Sequence, residues 1–233
     1  MNTQAWLGIH NPYLVDAGNG HYLHPAVLEA FNKMQVAAHR QNIDLQIVSS
    51  YRNFERQCAI WNKKWRGETV LLDASGTPLT FASLSDNDKL HAILTWSALP
   101  GGSRHHWGTD IDVFDKSAVA QWSGTFSLVD SEYQPGGPCH SLATWLQEHM
   151  HSYGFYRPFN QYNNGVAREL WHLSHQQVAA EFEQSRQLPQ LVSAIEQSNI
   201  EGKPVILANI EEIYHRYILN RGDRWKEPET NPK

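Results

Sequence analysis

The stretch that most restricts how this chain can fold is Thr109 to Phe114, where Ile111 and Val113 alternate with Asp110 and Asp112. Successive side chains on a strand point to opposite faces, so the apolar pair lies on one side and both carboxylates on the other. Just before it runs Ser103-Arg104-His105-His106-Trp107-Gly108, a histidine-bearing turn that ends on glycine. A turn feeding a strand can bring a histidine from the first and an aspartate from the second to one point.

The surrounding pattern is α+β. From Pro25 to about Gln41, Val27, Leu28, Phe31, Met34 and Ala38 recur at helical spacing, and Pro25 suits a first turn. Asp44 to Ser49 follows as a partly buried strand through Leu45 and Ile47. Phe54 to Trp65 carries Phe54, Cys58, Trp61 and Trp65 on one helical stripe. Ser85 with Asp88 three residues on marks the start of another helix, through Leu90, Ile93 and Leu94. Ser141 to Ser152, stopped by Gly154, also reads as helix, as do Gln176 to Phe182 and Ile210 to Leu219; Arg168 to Leu173 reads as a short strand. Arg66 to Ser83, with Asp73-Ala74-Ser75-Gly76-Thr77-Pro78, is expected as exposed turns or a hairpin, and the residues after Gly222 as a polar tail. The expectation is one domain over residues 1–233, with an inserted edge segment around 66–100 and a helical C-terminal extension around 176–222.

Hydrophobic residues make up 41% of the 233 and aromatics 11%, enough for a substantial core. Charged residues are only 18% and the formal net charge is -5, so nothing in the charge balance calls for nucleic acid as a partner. No run approaches the roughly 20 apolar residues of a membrane span. Met1 opens onto Asn2-Thr3-Gln4 rather than a basic then apolar leader. The compartment is cytoplasmic if Met1 is the natural start, periplasmic or cell envelope if an export signal was trimmed. Cys58 and Cys139 lack the spacing of a structural zinc site, so a metal would have to be held by histidine and carboxylate.

A catalytic zinc takes three nitrogen or oxygen ligands and leaves a fourth position open. The turn and strand offer two, and Glu169-Leu170-Trp171-His172 offers a third imidazole. Three residues before that imidazole stands a carboxylate able to accept a proton from a metal-activated water. On an ideal strand, residues three apart face opposite sides, so Glu169 and His172 share a site only if the backbone turns or bulges there. By spacing alone, His106 could replace His105 and Asp110 could replace Asp112.

These elements, S-x-H-x-x-G-x-x-x-D over Ser103 to Asp112 and E-x-W-H over Glu169 to His172, resemble the D-alanyl-D-alanine carboxypeptidase and dipeptidase family of zinc peptidases. That family shares its core with lysostaphin-type peptidases and the hedgehog signalling domain. Ser49-Ser50-Tyr51-Arg52 resembles the S-G-Y-R element that comes earlier in the same family. The resemblance implies a small central antiparallel sheet with flanking helices, and Zn2+ held by His105, Asp112 and His172. It implies Glu169 as catalytic base, Arg52 as the group that stabilises the substrate carbonyl or tetrahedral intermediate, and Ser103 as a substrate-binding residue. The implied substrates are peptidoglycan peptides or small peptides containing D-Ala-D-Ala. Cleavage of an L-Ala-D-Glu bond, hydrolysis of free D-Ala-D-Ala, and a non-catalytic zinc-binding module are the competing functions. Two positions depart from the family pattern: Asp110 stands where a small residue is usual, and Ser50 where glycine is.

Overall fold

The computed structural model describes residues 3–226. A short helix α1 (Thr3–Trp6) precedes a two-stranded ribbon, β1 (Val15–Gly18) and β2 (His21–Leu23). Then come α2 (Pro25–His39), β3 (Leu45–Ser49), α3 (Phe54–Trp65), α4 (Asp86–Trp96) and β4 (Asp110–Asp115). They are followed by α5 (Lys116–Gln121), α6 (His140–His149), β5 (Phe155–Tyr156) and β6 (His172–His175). The chain finishes with α7 (Gln176–Ser185), α8 (Leu188–Gln197), α9 (Lys203–Ala208) and α10 (Ile210–Ile213).

Local chemistry sets the helix starts. The Asn53 side chain accepts from the Arg56 amide at 2.9 Å and opens α3, while Ser85 and Asp88 form a reciprocal capping box at the start of α4. Each such cap is worth about 1 kcal/mol. Helix α2 stops at His39, slightly short of the expected end, because Asn42 takes a left-handed φ of 61° and lets the Ile43 amide return to the Ala38 carbonyl.

Strands β3, β4, β6 and β5 form one sheet in the order β3-β4-β6-β5, antiparallel throughout. Ile111 and Val113 of β4 are fully buried and join Leu45, Leu173, Trp61, Trp107 and Phe182 in one apolar cluster. The same cluster takes in Leu191 and Ile195 of α8, Ile206 of α9 and Ile213 of α10, so the C-terminal helices pack on the core that backs the sheet. Burying one such side chain contributes roughly 1.5–3 kcal/mol. The α+β architecture with a small antiparallel sheet is therefore the observed fold.

Several expectations need correction. Arg168 to Leu173 is not one strand: Leu170 and Trp171 lie in a turn and β6 starts only at His172. The segment 66–83 is mostly exposed, but Leu71 is buried, and a bridge between Leu72 and Pro78 makes a minimal hairpin. Helix α6 ends at His149 and a 3-10 turn, Met150–Tyr153, carries the chain to Gly154 at φ 79°. Past Ile213 the helix widens into a π-type turn over Tyr214–Ile218. Between the two expected C-terminal helices stand two more, α8 and α9, each with a proline in its first turn. Gly222–Lys226 forms a 3-10 turn, and the rest of the expected polar tail, like Met1 and Asn2, lies outside the described residues.

Candidate active site

Strand register assembles the site. Asp112 of β4 sits directly across from His172 of β6, and Asp110 across from Ser174. The 3-10 turn Arg104–Trp107 delivers His105, and Gly108 then reverses the chain at φ 71°. A Cβ at Gly108 would lie 2.2 Å from Leu14 and 3.3 Å from the His24 amide nitrogen, so only glycine fits between this turn and the ribbon. The Arg52 amide donates to the His105 carbonyl at 3.1 Å and ties the loop after β3 to the same turn.

Hydrogen bonds fix how each imidazole points. His105 Nδ1 bonds the Ser50 carbonyl at 2.9 Å, which places the proton on Nδ1 and turns Nε2 toward Asp112 Oδ2 at 3.3 Å. His172 is reversed: Nε2 donates to Asp110 Oδ1 at 2.9 Å, leaving Nδ1 facing Asp112 Oδ1 at 3.2 Å and Glu169 Oε2 at 3.4 Å. The Glu169–His172 turn, closed by the His172 amide on the Glu169 carbonyl at 3.3 Å, puts both side chains on one side. The backbone departs from a strand where shared use of the two residues required it to.

His105, Asp112 and His172 offer ligand atoms all within 4.8 Å of one another, and all three residues are buried. Donors around a tetrahedral ion at about 2.1 Å stand roughly 3.4 Å apart, close to the 3.3 and 3.2 Å between Asp112 and the two imidazoles. Asp112 Oδ1 is buried and has no hydrogen-bond partner among the described groups. A carboxylate oxygen facing an imidazole nitrogen at this range calls for a proton or a metal ion between them. The donor set fits a divalent cation.

The electrostatics agree. Burial would raise the Asp112 and Asp110 carboxyls, but His105 and His172 hold Asp112, and Arg104 and His172 hold Asp110, far below the usual carboxylate range. Burial pulls His172 down, yet the carboxylates of Asp110, Asp112 and Glu169 around its ring outweigh that and keep it well above an ordinary histidine, so its Nδ1 edge is a place where positive charge, a proton or a metal ion, is favoured. His105 is lowered by burial and by the Arg52 charge. Burial raises Glu169 against the opposing pull of His172 and Arg52. A raised carboxyl beside a cation site is suited to taking up a proton.

The alternatives left open by spacing are now separated. His106 does not face the site: its Nδ1 donates to the Arg52 carbonyl at 2.6 Å, its Nε2 accepts from the Gly101 amide at 3.0 Å, and its ring stacks on Phe54. Asp110 lies behind His172 and accepts from Arg104 Nε at 2.7 Å, Thr109 at 2.5 Å and Ser174 at 3.0 Å. Ser50, where the family pattern has glycine, is buried and contacts His21 through its hydroxyl at 3.0 Å. Trp107 is core, stacked on Phe182 at 5.6 Å, whereas Trp171 lines the cleft.

The cluster of His105, Asp112 and His172 opens onto a cavity of about 360 Å³ that Arg52, Ser103 and Glu169 also line. Its outer walls come from Val70 and Leu72, from Ser127 to Val129, and from Tyr217 and Ile218. Sequence reasoning missed three participants. Arg104 bonds Asp110, Glu183, Tyr156 and Ser174 from beneath the site. Gln57 and Lys64 reach the cavity from α3. The available signal was their spacing, since positions 57, 61 and 64 share a helix face whose middle member is the buried Trp61.

Two buried imidazoles and a carboxylate gathered at the antiparallel sheet, with a second carboxylate 3.4 Å from one imidazole, make a donor set suited to metal-assisted hydrolysis. The chain belongs to the VanY family of D-alanyl-D-alanine carboxypeptidases, whose pattern matches residues 20–178, and is accordingly a peptidase. A protein of Haemophilus influenzae described as uncharacterised is 32% identical over 127 residues, 54% of this chain and 96% of that protein. Another from the same organism is 42% identical over 81 residues, 35% of this chain and 56% of its own length. Among solved structures, a zinc complex of a VanY vancomycin-resistance D,D-pentapeptidase variant superposes with a TM-score of 0.50 at 22% identity, covering 76% of this chain and 88% of that one. The LdcB LD-carboxypeptidase gives a TM-score of 0.51 at 21% identity over 75% of this chain and 74% of that chain. At such identities the likeness is one of fold.

Proposed function

We propose that this protein is a zinc-dependent carboxypeptidase that removes a terminal D-alanine from peptidoglycan-derived peptides. His105 Nε2, a carboxylate oxygen of Asp112 and His172 Nδ1 would hold the ion. Bound there, zinc supplies Lewis acidity that polarises the scissile carbonyl and acidifies water. The single observation that carries the reading is the orphaned Asp112 Oδ1, 3.2 Å from His172 Nδ1, with Glu169 Oε2 3.4 Å from the same nitrogen.

The chain's own residues supply the rest. Glu169, raised by burial, takes the proton from the attacking water and passes it to the leaving amine. Arg52, whose buried Nε has no partner, faces the same cavity and stabilises the oxyanion as it develops. Asp110 positions His172 by accepting from Nε2, and Arg104 holds Asp110 in turn. Ser103, buried in the cavity wall, contributes to substrate binding.

The test is incubation of the zinc-loaded protein with a muropeptide mixture and identification of products by mass. Loss of single alanine residues from chain ends is the expected result. Internal cleavage of the stem, or release of a dipeptide, would replace this reading with one of the competing functions.

A further inference from the structure

The inward face of α3 carries polar capacity that the chemistry above does not use. Gln57, Trp61 and Lys64 fall at i, i+4 and i+7, and so share one face of the helix. That face is the buried one: Gln57 is 1% exposed and Trp61 is 0%. Lys64, in the last turn, is therefore directed inward, and its side chain joins Arg52, Gln57 and Glu169 in lining the cavity.

No hydrogen bond or salt bridge engages the Lys64 ammonium among the described residues, and Glu169 is the carboxylate whose charge reaches it. Lys64 itself is half-buried, and Arg52 Nε and Gln57 Oε1 are buried without partners. The carboxylates whose charge reaches these cations have other commitments, Asp112 to the two imidazoles and Glu169 to proton transfer. A partly buried ammonium whose nearby carboxylate is engaged elsewhere is costly, and a second cation in the same cavity adds to that cost. An anion entering the cavity would relieve both. Burial and Arg52 already lower the Lys64 pKa while Glu169 raises it, as expected for an amine sharing a confined space with these groups.

We infer that Lys64 binds the free C-terminal carboxylate of the substrate peptide, which makes it the residue that restricts cleavage to chain ends. The assignment rests on the peptidase reading and deepens it. Arg52 serves the scissile carbonyl, and the ammonium, in the last turn of α3, takes the charge that only a terminal residue carries. A charge-assisted bond of this kind corresponds to roughly 10- to 100-fold in affinity.

The experiment compares a peptide ending in D-alanyl-D-alanine, as free acid and as C-terminal amide, on the zinc-loaded wild type, Lys64→Met and Lys64→Arg. Wild type should prefer the acid by about 10- to 100-fold. In Lys64→Met that preference should fall by about tenfold or more, through KM rather than kcat, and Lys64→Arg should restore part of it. An undiminished preference in Lys64→Met would overturn the assignment. So would an equal loss on acid and amide with a displaced pH profile, which would mean that Lys64 acts through Glu169. Binding of both peptides to zinc-loaded Glu169→Gln, measured by calorimetry with and without Lys64→Met, reads carboxylate recognition without turnover. If wild type hydrolyses neither peptide, the peptidase reading fails, while the calorimetric acid-to-amide ratio still decides the role of Lys64.

Discussion

Replacing Asp110 by alanine tests how the site is built from below. The residue is fully buried, and its carboxylate accepts from Arg104 at 2.7 Å, His172 at 2.9 Å, Thr109 at 2.5 Å and Ser174 at 3.0 Å. Its removal leaves the Arg104 guanidinium, 10% exposed, with Glu183 as its remaining carboxylate. Breaking a buried ion pair from one side costs about 3–5 kcal/mol. The two freed hydroxyls can turn toward water entering the space, so their full penalties should not be added. Against the roughly 5–15 kcal/mol typical of a domain this loss is large. His172 also loses the acceptor that holds its Nδ1 inward, and loss of such a partner typically weakens metal binding about 10- to 100-fold. Urea denaturation in chelator reads the first effect and zinc competition titration the second. Asp110→Asn, which keeps shape and one acceptor, should lie between wild type and alanine on both. A stability loss below about 1 kcal/mol with unchanged zinc affinity would refute the claim that Asp110 holds His172 in place.

Two other outcomes follow from the geometry. Glu169→Gln should retain zinc while kcat falls by roughly 10²- to 10⁴-fold, and near-normal turnover would remove Glu169 as the base. His106 is pushed down by burial to about 3, so it stays neutral when folded while the unfolded chain takes a proton below about 6.5. Its contribution is complete above the unfolded value and is lost as pH falls toward the folded one. Between about pH 7.5 and 5.5 wild type should lose about 1.4 kcal/mol more than His106→Gln in chemical denaturation, and equal losses would contradict the assignment.

Much of the site was legible because its signals are local. Ser85 with Asp88 announces the start of α4 through its own side chain, and the alternation over 109–114 fixes which face carries Asp110 and Asp112. What the two aspartates do was not legible. One imidazole separates them, taking Asp110 on Nε2 and Asp112 on Nδ1, and that depends on a β4–β6 register that pairs Asp112 with His172, far apart along the chain. The Glu169–His172 turn was a requirement of shared function, and no turn-forming residue marks it. Lys64 was missed because a lysine beside an apolar stripe reads the same whether it faces solvent or a cavity.

The central claim concerns where a metal sits, and anomalous X-ray scattering on either side of the zinc edge measures that directly. Crystals of the zinc-loaded protein should give one strong peak about 2.0–2.2 Å from His105 Nε2, a carboxylate oxygen of Asp112 and His172 Nδ1. A peak elsewhere, or none at this cluster under saturating zinc, would contradict the account.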